Sequence, residues 1–178
     1  MVPVIAFFNQ KGGTAKTTST LNVGAALAER GQRVLALDLD PQASLTMALG
    51  IDIARLEASV YDLLVEDPLP LSEVIVATRI EGFDLVPSHP DLAAAELELL
   101  NALERERRLA HALAAADPLP YDYVLIDSPP ALNILSVNIL VAATALVIPI
   151  EPHPFEEILT WVERLRAGEV ESRVALVP

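Results

Sequence analysis

Short, nearly continuous apolar runs recur along the chain, and the longer segments between them carry apolar residues at helical spacing. Apolar runs of this length are typical of strands that are buried on both faces of a parallel sheet. We predict six such strands, at residues 4–8, 34–37, 83–86, 123–126, 145–150 and 174–177.

Four helices are predicted between the strands, over residues 16–30, 90–116, 133–143 and 154–167. Pro90 suits the first turn of the second helix, which we expect to break near the charged run at residues 104–108. The alternation of strands and helices predicts an α/β fold, with a doubly wound, mostly parallel sheet and helices on both faces. We expect one domain over residues 1–178, since the chain shows no repeat, linker or low-complexity tract.

The composition agrees with a large buried core, because 52% of the 178 residues are apolar. Cysteine is absent, which excludes disulfides, thiolate catalysis and cysteine-ligated zinc. Residues 128–150 carry no formal charge and are numerous enough to span a bilayer. They contain Pro129, Pro130 and Pro149, however, so we expect a turn, a buried helix and a buried strand there. The first residues lack the pattern of a secretory signal, and we therefore expect a cytoplasmic protein.

Both lysines of the chain, Lys11 and Lys16, fall in one glycine-containing segment that follows the first predicted strand. Residues 9–18 read Asn-Gln-Lys-Gly-Gly-Thr-Ala-Lys-Thr-Thr and lead into a predicted helix. Glycines let backbone N–H groups turn toward an anion, and the helix N-terminus adds partial positive charge. In such a loop Lys16 can reach the β- and γ-phosphates of a nucleotide, and the Thr17 hydroxyl can bind Mg²⁺. The alternative is a strand–turn–helix corner with chance glycines, which does not account for the ordered lysine and threonine.

Aspartates follow two other predicted strands directly. Asp38 and Asp40 stand in the sequence Asp-Leu-Asp-Pro-Gln, and Asp127 precedes Ser-Pro-Pro. Because the carboxyl ends of parallel strands meet at one edge of a sheet, we expect these carboxylates in the crevice beside the phosphates. The alternatives are an Asp-Pro turn without chemistry at Asp40 and a helix cap at Asp127.

Together the three segments resemble the motifs of one family of nucleotide-hydrolysing proteins. Residues 11–17, Lys-Gly-Gly-Thr-Ala-Lys-Thr, are similar to the deviant Walker A box of the ParA/MinD family of P-loop ATPases. Residues 38–42 resemble the switch I segment of ParA and Soj proteins, and residues 123–130 resemble Walker B followed by switch II. The chain is thus identified as a ParA/Soj-type member of this family.

The resemblance implies ATP and Mg²⁺ as cofactors and a role for each motif residue. Lys11 is expected to cross a nucleotide-sandwich homodimer to the partner's phosphates, and Asp40 is expected to support attack by water. Catalysis then rests on Lys11, Lys16 and Asp40. The implied nucleotide-binding residues are Lys11, Gly12, Gly13, Thr14, Ala15, Lys16, Thr17 and Thr18. The implied metal-binding residues are Thr17, Asp38 and Asp127, with the carboxylates acting through water; Asp38 alternatively orders its loop.

One position departs from the family pattern. Ala15 stands where most relatives have glycine, and its methyl group disfavours a positive φ. The defining pattern leaves this position open, so we expect nucleotide binding to survive, with reduced affinity.

The implied function is an ATP-dependent dimerising switch for plasmid or chromosome partition, with slow hydrolysis stimulated by a ParB-like activator. The alternatives are an ATPase that positions a protein or membrane-linked cargo, and a nucleotide-binding regulatory module that does not hydrolyse ATP. Family members usually continue past the strand represented here by residues 174–177, so we expect a short or truncated member. The net charge of −13 argues against the non-specific DNA binding that the family otherwise implies, and association with the nucleoid stays open as an alternative location. No membrane partner is expected.

Overall fold

The computed structural model describes residues 2–65, 67–99 and 102–150. The strands are β1 Val4–Phe7, β2 Val34–Asp38, β3 Val76–Ala77, β4 Phe83–Val86, β5 Tyr123–Asp127 and β6 Ala145–Val147. The α-helices are α1 Lys16–Ala28, α2 Ser44–Ala48, α3 Val60–Leu64, α4 Leu71–Val74, α5 Leu92–Glu98, α6 Arg108–Ala115 and α7 Ile134–Ala142. Within these described ranges, 3-10 turns lie at Ile53–Arg55 and Arg105–Arg107.

The strands form one sheet in the order β3-β4-β2-β5-β1-β6. Every neighbouring pair is parallel except β3 with β4, which is antiparallel. The central strands β2, β5 and β1 are adjacent, so their carboxyl ends lie side by side at one edge of the sheet. This arrangement confirms the predicted α/β fold, and it creates the crevice in which ligands of such sheets bind.

The core has two parts, one on each face of the sheet. Leu35 and Leu37 of β2 belong to a cluster that also holds apolar side chains from α3 to α7. Val34 and Ala36, which point to the opposite face, pack with Phe83 and with side chains of α1 and α2. Helices therefore cover both faces, as the continuous apolar runs predict.

Most predicted elements are confirmed, and their ends shift by at most three residues. The predicted helix 90–116 breaks into α5 and α6, with the turn at Arg105–Arg107 inside the charged run. The short elements α2, α3, α4 and β3 were not predicted. The predicted strand 174–177 and helix 154–167 lie outside the described residues.

The expectation that residues 145–150 form a buried strand is wrong. β6 covers only Ala145–Val147, and all three of its residues are exposed. In the described part of the sheet β6 pairs on one side only, with β1, which leaves its side chains less covered than those of the central strands. Across the described ranges, no helix combines the length and the apolar character needed to cross a bilayer.

Candidate phosphate-binding site

The loop between β1 and α1 is held by its own side chains. Asn9 accepts a hydrogen bond from the Lys11 N–H at 2.9 Å and donates one to the Pro149 carbonyl at 2.8 Å. The Thr14 hydroxyl donates to the Lys11 carbonyl at 3.2 Å. Gly13 has a φ of +77°, a conformation that glycine adopts without strain. These contacts fix the curved backbone that leads into α1.

Lys16 is the cation at the centre of this loop. It is 7% exposed, and its Nζ donates to the Lys11 carbonyl at 3.3 Å. Side chains added at Gly12 or Gly13 would meet no atom within 4 Å, so the space over the loop is open. A buried ammonium, open space and the N-terminus of a 13-residue helix together favour an anion. The geometry fits a polyphosphate.

Asp127 is a buried carboxylate without a hydrogen-bond partner. It ends β5, is 0% exposed, and neither Oδ1 nor Oδ2 accepts a hydrogen bond. Burial, together with the smaller effect of the nearby charges of Asp38 and Asp40, raises its pKa to about 7. The Thr17 hydroxyl and the Lys16 charge act in the opposite direction, although Thr17 does not satisfy either oxygen. A buried, ionised carboxylate without a hydrogen-bond donor destabilises the folded state unless a cation or an ordered water interacts with its oxygens.

This environment fits Mg²⁺, a hard cation that prefers oxygen ligands and keeps several waters. The described residues hold no group of three His, Cys, Asp or Glu that could bind a metal alone. A metal here would therefore take part of its coordination from phosphate oxygens, with Thr17 and Asp127 beside it.

Asp38 is buried in a different way. It is 0% exposed and is paired in register with Asp127 across β2 and β5. Its Oδ2 accepts hydrogen bonds from the Thr46 N–H at 2.9 Å and the Thr46 hydroxyl at 2.8 Å. Its Oδ1 accepts from the Asp40 N–H at 3.1 Å. Burial raises the pKa of Asp38 to about 6, and these donors limit the rise. Of the two roles expected for Asp38, the contacts favour ordering of the loop.

Asp40 and Lys11 are the remaining predicted site residues at the carboxyl edge of the sheet. Asp40 is half-buried, and its Oδ1 accepts the Gln42 N–H at 2.9 Å. Lys11 is exposed on the loop. The fold thus brings Lys16, Thr17 and the three predicted aspartates to the ends of adjacent strands.

Sequence reasoning missed two buried hydroxyls that hold this site together, those of Thr46 and Ser88. Both residues are 0% exposed, and Ser88 donates to the Asp40 carbonyl at 2.7 Å. A serine directly after the apolar run and proline at residues 83–87 was the available signal. A third hydroxyl, that of Ser128, donates to the Phe7 carbonyl at 2.7 Å and joins the segment after β5 to β1.

Comparisons with known proteins agree with this geometry. A family model described as an AAA domain matches residues 2–165. The sporulation initiation inhibitor protein Soj of Bacillus subtilis is 46% identical over 151 residues, which are 85% of this chain and 59% of Soj. The chromosome partitioning protein ParA of Caulobacter vibrioides is 39% identical over 179 residues, which are 97% of this chain and 66% of ParA.

Solved structures share the fold. A cobyrinic acid a,c-diamide synthase of Mycobacterium smegmatis, solved with ADP and magnesium, superposes with a TM-score of 0.82 at 40% identity. The match covers 95% of this chain and 69% of that one. The septum site-determining protein MinD of Pyrococcus horikoshii, solved with Mg-ADP, gives 0.74 at 27% identity, with coverages of 95% and 64%.

The relatives differ from this chain in length. An uncharacterized protein of Mycobacterium tuberculosis is 47% identical over 148 residues, which are 83% of this chain and only 46% of that protein. The matched part of this chain therefore corresponds to between 46% and 66% of the length of these three relatives. Within that span the motifs, the sheet order and the matched residues agree, and the chain belongs to the ParA/Soj family of P-loop ATPases with a deviant Walker A motif.

Proposed function

We propose that this chain is an ATP-dependent, dimerising switch ATPase for plasmid or chromosome partition. The observation that carries the proposal is the buried, partnerless carboxylate of Asp127 beside Thr17 and Lys16, at the mouth of a phosphate loop. That combination fits a nucleotide–magnesium complex better than any structural role, because a helix cap or turn would use its carboxylate as an acceptor.

Each motif residue has a role in binding. The backbone of residues 12–18 faces the phosphates, and Lys16 neutralises charge on the β- and γ-phosphates. Thr17 and Asp127 are the residues that would hold Mg²⁺, which prefers such oxygen ligands. Mg²⁺, when bound, supplies positive charge that stabilises the transferred phosphoryl group. Asp38 orders the loop that carries Asp40 rather than binding the metal directly, because both of its oxygens already accept hydrogen bonds.

Hydrolysis depends on Asp40. Attack by water forms a bond to the γ-phosphorus, breaks the bond to the bridging oxygen, and releases ADP, inorganic phosphate and a proton. Asp40 accepts a hydrogen bond from the attacking water and so orients it. A site completed only by a second chain turns over slowly, and a ParB-like partner would stimulate it.

Lys11 acts across the dimer. It is exposed beside the loop, where its ammonium can reach the phosphates of a second copy bound face to face. ATP then joins two chains and hydrolysis separates them, which is a switch between two assembly states. The names of the relatives Soj and ParA support partition as the process, and the dimer would work in the cytoplasm.

The names of other proteins with this fold point to a second class of function, the positioning of a cargo other than DNA. One neighbour is named McdA, another MinD, and a third is named as an amide synthase. The same switch could thus position a protein cargo, and a regulatory module without hydrolysis would share its binding site.

The test is molar mass by light scattering with ADP–Mg²⁺ and with ATP–Mg²⁺, together with ATP turnover. We expect a dimer with ATP only, its loss in Lys11→Ala, and a dimer without turnover in Asp40→Ala. Arg30→Ala, which removes an exposed cation at the far end of α1, is the control and should dimerise normally. A monomer under all conditions would contradict the switch. Binding without turnover would identify a regulatory module.

A further inference from the structure

A continuous chain of buried hydrogen bonds joins the end of β4 to the loop after β2. The Thr46 hydroxyl donates to Asp38 Oδ2 at 2.8 Å, and the Thr46 Oγ1 accepts a hydrogen bond from the Ser88 N–H at 2.9 Å. The Ser88 hydroxyl then donates to the Asp40 carbonyl at 2.7 Å. Asp38, Thr46 and Ser88 are all 0% exposed, so water does not replace these contacts in the folded chain.

This network forms hydrogen bonds with both the N–H and the carbonyl of Asp40. Its N–H donates to Asp38 Oδ1 at 3.1 Å, and its carbonyl accepts from Ser88 and from the Ala43 N–H at 2.8 Å. With both backbone groups fixed, the side chain of Asp40 starts from one defined position. The loop itself is short and partly exposed, and it would otherwise have to order this residue by local turns alone.

We propose that Ser88 and Thr46 are positioning residues for hydrolysis, which place Asp40 against the attacking water by fixing its main chain. The inference rests on the role of Asp40 in the proposed function. The two hydroxyls donate to the Asp38 carboxylate and the Asp40 carbonyl, so we expect their loss to lower turnover and to leave nucleotide affinity unchanged. A misplacement of the order of 1 Å in a catalytic group can cost up to about 100-fold in rate, and a loosened loop costs part of this.

The experiment compares Ser88→Ala with a matched control, Thr78→Val. The Thr78 hydroxyl also donates to a backbone carbonyl, that of Phe83 at 2.6 Å, but at the opposite end of β4. Ser88→Ala loses one such bond, and Thr78→Val loses this bond together with the contacts of the same hydroxyl to the Ile80 backbone, so the control removes at least as many hydrogen bonds. We expect Ser88→Ala to lower kcat about tenfold without a change in the KM for ATP or the affinity for a fluorescent ATP analogue. Thr78→Val should keep the kcat of the wild type.

Two further variants separate positioning from a general loss of stability. Thr46→Val removes the hydroxyl at the same volume and should lower kcat, whereas Thr46→Ser keeps the hydroxyl and should stay within about twofold of the wild type. In the double variant Asp40→Ala/Ser88→Ala, kcat should fall no further than in Asp40→Ala alone, because Ser88 acts through Asp40.

Hydrogen exchange gives a readout that does not depend on turnover. The amides of Asp40 and Ala43 should exchange faster in Ser88→Ala than in Thr78→Val. If Asp40→Ala hydrolyses ATP at the wild-type rate, the proposed role of Asp40 fails and the inference fails with it. If Asp40→Ala is inactive but Ser88→Ala matches Thr78→Val in kcat and exchange, only the inference is overturned.

Discussion

Asp38 and Asp127 stand side by side at the ends of β2 and β5, fully buried, yet only Asp38 is supplied with hydrogen-bond donors. The Thr46 and Asp40 groups satisfy Asp38, while both oxygens of Asp127 remain without a partner. We therefore propose different tasks for these two adjacent carboxylates: Asp38 organises a loop, and Asp127 is available to a cation.

The buried carboxylate of Asp127 leads us to predict how the stability of the folded chain depends on pH. Burial raises the pKa of Asp127 from 3.8 to about 7, so the folded state binds the proton more tightly than the unfolded state does. This contribution to stability is complete below about pH 4 and is lost as the pH rises through about 7. The amide in Asp127→Asn carries no charge to bury. We therefore expect the variant without nucleotide to melt at least about 5 °C higher than the wild type at pH 8, and nearly equally at pH 5.

Asp122 serves as the control for this pH effect, because its pKa is shifted in the opposite direction to that of Asp127. The Arg33 N–H and guanidinium hold the pKa of Asp122 below its usual range, so its contribution is present above pH 4 and is lost in acid. Asp122→Asn should melt slightly lower than the wild type at pH 8. A melting temperature of Asp127→Asn below the wild type at pH 8 without nucleotide would contradict the cost assigned to this buried carboxylate.

Gly24 permits the close packing of α1 on the sheet. A Cβ atom at this position would lie 2.4 Å from Cζ of Phe83, which is itself fully buried. Gly24→Ala should cost about 1–3 kcal/mol despite the better helix propensity of alanine, because the ring has no room to retreat. The measurement is urea unfolding, with exposed Val23→Ala as the control that should change little. Stabilisation by Gly24→Ala would show that the ring moves freely.

The sequence was sufficient to predict the sheet and the motif residues, because both produce strong local patterns. A buried parallel strand such as β2 is an unbroken apolar run, and the phosphate loop is a contiguous segment. Helices α2 and α4 were not predicted because five and four residues carry too little periodicity. β6 was predicted as buried because its apolar composition is that of a central strand, although in the described part of the sheet it pairs with β1 alone.

The supporting hydroxyls of Thr46 and Ser88 could not be predicted for a different reason. They lie 42 residues apart in the chain and meet only when β2 and β4 pair. The satisfaction of a buried carboxylate is a property of the folded sheet and leaves no pattern in the sequence. For the same reason the sequence could not show that Asp38 receives hydrogen bonds and Asp127 does not.

Lys16 should be indispensable for nucleotide binding. Its ammonium is 7% exposed inside the loop, so its loss removes the cation that faces the phosphates, and no other lysine lies near except exposed Lys11. Lys16→Ala should weaken binding of a fluorescent ATP analogue at least about 100-fold, equivalent to about 3 kcal/mol. Lys11→Ala should bind one nucleotide per chain with affinity close to the wild type. Equal losses in the two variants would refute the separate roles of the lysines.

Ala15 occupies a conformation that glycine would adopt at lower cost. Its φ is +61° at the N-cap of α1, and the residue is exposed, so the methyl group adds strain without packing into the core. Ala15→Gly should raise the free energy of unfolding by about 0.5–1 kcal/mol and should bind nucleotide at least as tightly as the wild type. Ala26→Gly, in the last turn of α1, is the control and should lower stability by up to about 1 kcal/mol. If Ala15→Gly also destabilises the protein, the left-handed backbone at this position is not strained, and the departure from the family glycine carries no energetic cost.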